Sequence, residues 1–185
     1  MSVINYFARL NSEQLESWQR LRSPFDNLPQ GVEVIDLDKA TDVIAWLLSP
    51  GKRIEQLHFA QQMAEMLGDE VVATPLPQMP EVPDEFSVAI EGRGPNRTEL
   101  AGVDACRFDP KEVKDIAALL VSVSESDLRT KADYKLMDTV CLPVEYWQEE
   151  GDQTMAEYIL PNFAKLKQFY VAAAKSDQIV LVWAS

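Results

Sequence analysis

Histidine is nearly absent from this chain. His58 stands alone, so no histidine-based metal cluster and no histidine pair can form. Cysteine is also scarce. Cys106 and Cys141 are the only two, and with Ala105, Phe108, Val140 and Leu142 beside them they read as buried, reduced thiols rather than a disulfide framework. No apolar run exceeds a few residues, which rules out a hydrophobic helix of bilayer length. The opening "MSVINYFARLNSEQ" lacks the basic start, apolar core and small-residue cleavage site of an export signal, so a cytoplasmic location is expected. Positive charge is short as well: 17 Lys and Arg stand against 30 Asp and Glu, a formal charge of −13. Phosphate backbones and anionic membranes attract the opposite sign, so no nucleic-acid partner and no membrane partner are expected. A basic protein partner is.

What the chain does have is enough apolar material for a core. Its 185 residues are 46% hydrophobic, which suits a single domain. "SVINYFARL" alternates, with Ile4, Tyr6, Ala8 and Leu10 on one face of a strand. A helix follows in "NSEQLESWQRLR", with Asn11 as N-cap, Gln14 as its capping-box partner, and Leu10 and Leu15 spaced as a hydrophobic staple. "VEVID" reads as a short strand. Asp38 is placed to cap a helix from Lys39 with Val43, Ile44, Leu47 and Leu48 as its buried stripe, and "SPGK" stops it. "RIEQLHFAQQMAEML" predicts a second helix. Leu57, Ala60, Met63, Ala64 and Leu67 lie on its apolar side, and His58, Gln61, Gln62 and Glu65 on its polar one. "EFSVAIEG" and "GVDACRF" read as strands. "DPKEVKDIAALLVSV" opens with Asp109 as cap, Pro110 at the first helical position and Glu112 closing a capping box, and Val113, Ile116, Ala117 and Leu120 form its stripe. "SESDLRTKAD" repeats the pattern with Ser124 and Asp127. A long helix through "NFAKLKQFYVAAAK" has Pro161 at or before its start, and "QIVLVWAS" is a strand too apolar for a sheet edge. The expected class is α+β, a small mixed or antiparallel sheet packed with several amphipathic helices in one domain over residues 1–185. Residues 68–102, rich in Pro, Gly and acids, form an irregular segment within it.

Few motifs carry chemistry. "DLDK" places Asp36 and Asp38 one residue apart at a strand end, the spacing of a nucleophile and general acid around magnesium. Glu33 interrupts the apolar strand such sites normally follow, and Ala40 stands where Thr or Val is expected. A turn and helix cap explain the same residues. A metal- or small-ligand-dependent enzyme using Asp36 and Asp38 is therefore the alternative reading, and no cofactor is expected. "GRGPNR" offers Arg93 and Arg97 to an anion but lacks the lysine of a P-loop, so a surface turn fits better. Pro77, Pro80 and Pro83 have polyproline spacing but acidic flanks. Of the four tryptophans, only Trp147, beside acids, reads as an exposed anchor.

The stretches "INYFARLNSEQLESW", "IDLDKATDVIAWLLS", "FDPKEVKDIAALL", "YILPNFAKLKQFYVAAA" and "IVLVWAS" occur in an order that resembles the YfbM-like family of small bacterial proteins of unassigned function. The likeness is strongest at the two ends and thins between residues 50 and 100. It implies an α+β cytoplasmic domain with no established catalytic set, and a structural role for "DLDK" in which Asp36 ties down a neighbouring turn. This chain departs from the family pattern at three places: Thr41 stands for a tryptophan, Ala45 for a histidine and Pro50 for a glycine. If those residues line a pocket in the family, it is altered or lost here.

The charge is unevenly spread. From Ile54 to Glu91 there is no Lys or Arg, and Glu55, Glu65, Asp69, Glu70, Glu81, Asp84, Glu85 and Glu91 fall in that span. From Val144 to Leu160 there is again no base, with Glu145, Glu149, Glu150, Asp152 and Glu157. A solvated surface accounts for this. So does an acidic face that meets a basic protein, with Trp147, Tyr146 and Phe86 as apolar anchors. The expected function is a non-enzymatic binding module, of the kind that neutralises a basic bacterial toxin as an immunity protein does. The partner-binding candidates are Glu65, Asp69, Glu70, Glu81, Asp84, Glu85, Trp147, Glu149, Glu150 and Asp152.

Overall fold

The computed structural model describes residues 4–21, 28–68, 76–100, 102–140, 142–143 and 146–184. Its centre is a five-stranded sheet built from β1 (Asn5–Leu10), β2 (Glu33–Asp36), β3 (Arg97–Leu100), β4 (Val103–Phe108) and β5 (Ile179–Ala184), in the order β2-β1-β5-β4-β3. Every neighbouring pair is antiparallel. The class is α+β, as expected. β5 takes the middle place because both its faces are apolar: Val180 and Val182 point into one core, Ile179, Leu181 and Trp183 into the other.

The smaller core lies under α1 (Ser12–Gln19). There Leu10, Leu15 and Trp18 close over Ala8, Leu181 and Trp183, and the Trp18 and Trp183 rings meet edge to face at 5.7 Å. The expected capping box is present: Gln14 N–H donates to Asn11 Oδ1 at 2.9 Å, and Asn11 N–H to Gln14 Oε1 at 2.8 Å.

The larger core fills the opposite face, where the remaining helices pack. In chain order these are α2 (Ala40–Leu48), α3 (Pro50–Leu67), α4 (Glu85–Glu91), α5 (Pro110–Ser122), α6 (Glu125–Lys131), α7 (Tyr134–Thr139), α8 (Trp147–Thr154) and α9 (Leu160–Lys175). A π-helical turn, Met155–Ile159, joins the last two. α2 is enclosed on all sides, with only Asp42 partly exposed, so the stripe read from sequence understates its burial. α5 buries Val113, Ile116, Ala117 and Leu120 as expected, and Glu112 accepts the Asp109 N–H at 2.8 Å. α6 starts as expected too, with Asp127 N–H donating to Ser124 Oγ.

Three local expectations are corrected. "SPGK" ends α2 and also begins α3: Ser49 caps the new helix by accepting Lys52 N–H at 2.9 Å, with Pro50 in the first turn. "EFSVAIE" is helical rather than a strand. Its alternation of Phe86, Val88 and Ile90 reads as period two, but Asp84 accepts the N–H groups of Phe86 and Ser87, and Gly92 closes the far end at φ +65°. The segment 68–102 therefore contains α4 and β3 rather than being irregular throughout. Finally, the apolar side expected for α3 reaches the core only at Leu57 and Ala60, while Met63 and Leu67 are exposed. Length explains this. At 1.5 Å per residue α3 runs about 27 Å against about 14 Å for α2, so its second half overhangs its support.

Candidate functional site

The turn after β2 is unusual. Asp36 Oδ1 accepts the Asp38 N–H at 3.2 Å, which closes a tight side-chain turn. Asp38 sits at φ +49°, a left-handed conformation that Asp tolerates better than most side chains. Asp38 is therefore not the expected helix cap. Lys39 holds that position without a side-chain bond. The Asp38 carboxylate turns outward instead and accepts the Tyr158 hydroxyl at 2.8 Å. Lys165 Nζ donates to the Asp36 carbonyl at 2.8 Å and fastens the same turn to α9.

Tyr158 is presented by the π-helical turn. Pro161 has no amide to offer the carbonyl of Glu157, and its ring would strike that carbonyl in a regular helix. The chain widens instead, and Leu160 N–H reaches back to the carbonyl of Met155. Between this turn, α8 and Asp38 lies a cleft of about 390 Å³. Asp38, Glu150 and Glu157 bring three carboxyl groups to its wall against the single amine of Lys39, with Gln153, Thr154 and Tyr158 completing the lining. Gln153 Nε2 donates to Glu157 at 3.2 Å. Burial, reinforced by the Asp38 hydrogen bond, pushes the Tyr158 hydroxyl up to about 12, so it stays a neutral donor. Such a wall can take a guanidinium or ammonium group. Among the described residues no group of three or more His, Cys, Asp or Glu side chains is arranged to hold a metal ion.

α8 is held rigidly against α7. Asp138 accepts the N–H groups of Trp147 and Gln148 at 2.8 and 2.9 Å and so supplies the cap α8 lacks. Trp147 is buried and stacks on Tyr134 with ring centroids 6.2 Å apart. It is therefore a core residue and not the exposed anchor expected from its acidic neighbours. Tyr146 is the exposed one, in the left-handed region at φ +68°.

The other candidates scatter. Asp69 and Glu70 lie outside the described residues, as does Cys141. Glu65 is exposed on α3 and accepts from Gln61, and Glu81 and Glu85 are exposed beside α4. Asp84 is half-buried and fully engaged: it accepts from Ser49 Oγ at 2.6 Å and from the amides of Gly51, Phe86 and Ser87. Burial alone would raise its carboxyl, but those bonds outweigh it and hold it below the usual range. Glu149 and Glu150 are exposed on α8, and Asp152 accepts the Tyr134 hydroxyl at 2.9 Å. Of the eight candidates among the described residues only Glu150 lines the cleft. The missed wall had a sequence signal: Glu150, Gln153, Thr154, Glu157 and Tyr158 recur at helical spacing.

A second charged cluster is buried between α2, α3 and α4. Lys52 Nζ lies 2.6 Å from Glu91 and 3.8 Å from Asp42, and Arg93 pairs with both Glu91 and Glu55. Burial raises the Asp42 carboxyl above its ordinary range, against the pull of Lys52. Arg97 is likewise engaged, with Asp104 and the Gly92 carbonyl, so neither arginine of "GRGPNR" is open to an anion. His58 lies 2.8 Å from the Pro77 carbonyl and ties α3 to the proline-rich segment. Cys106 is buried and free, and burial pushes its thiol up. No helix among the described residues is long and apolar enough to cross a membrane.

Fold and cleft together define a small α+β domain with a carboxylate-lined surface recess. The chain belongs to the family described as "Domain of unknown function (DUF1877)", whose profile matches residues 1–183 and thus runs through the middle segment where the likeness had thinned. Among solved structures it is similar to that of YfbM, a protein of unknown function from Escherichia coli. The TM-score is 0.61 at 18% identity, over 98% of this chain and 99% of that one. At this identity the likeness speaks to the fold. No curated protein matches the chain.

Proposed function

We propose that the cleft between the Asp38 turn and α8 receives a basic side chain of another protein, and that the domain is a non-enzymatic binding module. The observation that supports this reading is the wall itself: three carboxyl groups to one amine, on a scaffold fixed by the Tyr158–Asp38 and Lys165–Asp36 bonds. A guanidinium offers donors in a planar fork that carboxylates accept in pairs, so arginine is the best-fitting guest. The chain's charge of −13 draws such a partner from a distance. An immunity-type inhibitor that covers the basic surface of a bacterial toxin is the role these features serve. The proposed face joins α8 and the π-helical turn to Asp38, with Tyr146 as its exposed apolar neighbour.

The test is affinity capture from the native host, followed by binding kinetics with the captured protein. Glu150→Lys with Glu157→Lys is expected to slow association about tenfold or more and to weaken its salt dependence. An unchanged on-rate and an unchanged set of captured proteins would overturn the proposal.

A further inference from the structure

A different surface asks for a different partner group. Phe59, Met63, Met66 and Leu67 recur at the i, i+4, i+7, i+8 spacing of one helix face. They are 55, 39, 79 and 71% exposed. All four lie on the half of α3 that overhangs α2. That half carries no buried residue, whereas Gly51 and Lys52 are buried at the other end. Nothing among the described residues covers the stripe. A contiguous apolar face of this kind marks an interaction site, and two methionines make it adaptable, because an unbranched thioether repacks around varied guests.

Charge decides what the guest is. No Lys or Arg occurs between Ile54 and Glu91, and the stripe is flanked by Glu65. A second copy of this chain would set acid against acid, and an anionic lipid surface would be repelled in the same way. The complementary occupant has apolar side chains at helical spacing with Lys or Arg beside them. We infer that the overhanging half of α3 is a docking site for a basic amphipathic helix of another protein. The site is separate from the cleft and does not rest on it.

The probe is a synthetic helix-forming peptide of Leu and Lys with leucines along one face, titrated by fluorescence anisotropy. Its controls are a peptide of the same composition with the spacing scrambled and one with Glu in place of Lys. The double variant Met66→Ser with Leu67→Ser is expected to weaken binding of the Lys peptide at least tenfold. Val121→Ser, at a residue 57% exposed on α5, should leave it unchanged. Glu150→Lys with Glu157→Lys should leave most of the binding in place, which separates this site from the cleft. All these positions are exposed, so each variant should keep its melting temperature, as circular dichroism will report. Equal binding of the scrambled or the Glu peptide would overturn the inference. So would equal loss with Val121→Ser, or a dimer in sedimentation that the Met66 and Leu67 changes dissociate, which would make a second copy the occupant.

Discussion

Two base-free, acid-rich stretches of the chain have opposite fates. Between Ile54 and Glu91 the acids at the two ends turn inward, while Glu65, Glu81 and Glu85 stay exposed: Glu55 and Glu91 pair with Arg93, Glu91 also with Lys52, and Asp84 binds backbone amides. Between Tyr146 and Tyr158 the acids face out, and Glu150 and Glu157 line a cleft. Composition alone cannot separate the two. What differs is the neighbourhood: Lys52 and Arg93 flank the first stretch immediately and fold back onto it, while the second is flanked by Asp138, which takes up the amides of α8 instead. An acidic run is open to a partner where the cations placed beside it are too few to neutralise it, as with the one amine of Lys39 among three carboxyl groups.

The largest effects should expose this contrast in stability. Lys52→Ala takes the shared cation from Glu91 and Asp42 and leaves Glu91 only Arg93, so the loss should approach but not exceed the cost of about 3–5 kcal/mol for removing one partner of a buried ion pair. Glu150→Ala, on the open stretch, should change stability by no more than about 0.5 kcal/mol, as surface substitutions do. Urea denaturation of both variants makes the comparison, and equal losses would erase it.

The next effect concerns the platform under the cleft. A Cβ at Gly151 would meet the Tyr134 ring at 2.7 Å. Gly151→Ala must push Tyr134 off Trp147, with an overpacking cost of about 1–3 kcal/mol. The loss should be smaller in Gly151→Ala with Tyr134→Leu than the single changes sum to, and strict additivity in thermal melts would show that the ring is not the obstacle.

Smaller still is the link between the two halves of the cleft. Asp38→Ala removes the acceptor for Tyr158 and puts a Cβ residue without a polar side chain at positive φ, at a cost of about 0.5–1.5 kcal/mol for the hydrogen bond. The Tyr158 hydroxyl should then ionise at lower pH, moving down from about 12, as ultraviolet phenolate absorbance will report.

Much of the frame was legible. Caps at Asn11, Asp109 and Ser124 follow from side chains whose hydrogen bonds are local, and the central place of β5 follows from its two apolar faces. Asp36 was legible as a turn residue for the same local reason. Asp38 and Trp147 were not. Asp38 bonds to Tyr158 across 120 residues, and Trp147 is buried by Tyr134, so their environments depend on tertiary contacts that no spacing reveals. "EFSVAIE" failed because its end caps outweighed its alternation.

The finest effect lies inside the first stretch, where two carboxyls are shifted in opposite directions. Asp84 is held below the usual range of 3.8, so the native state binds fewer protons there than the unfolded chain. Its stabilisation is fully present above 3.8 and disappears as pH falls through the lower native value. Asp42 is raised above 3.8, so the native state binds more protons there, and stability falls as pH rises from 3.8 through the higher native value. The two slopes have opposite signs in adjoining windows, so together they favour the native state most near 3.8, with a rise as pH falls to that value and a decline below it. Asp84→Asn should remove the loss on acidification, leaving a protein less stable at neutral pH but less sensitive to acid. Asp42→Asn should remove the gain in stability on acidification towards 3.8 and leave the fall below it in place. Denaturation midpoints measured from neutral pH down past 3.8 will separate the pair. Both variants changing the slope in one direction would mean that Asp42 and Asp84 do not differ in burial and hydrogen bonding as described, and the inward half of the comparison would lose its basis.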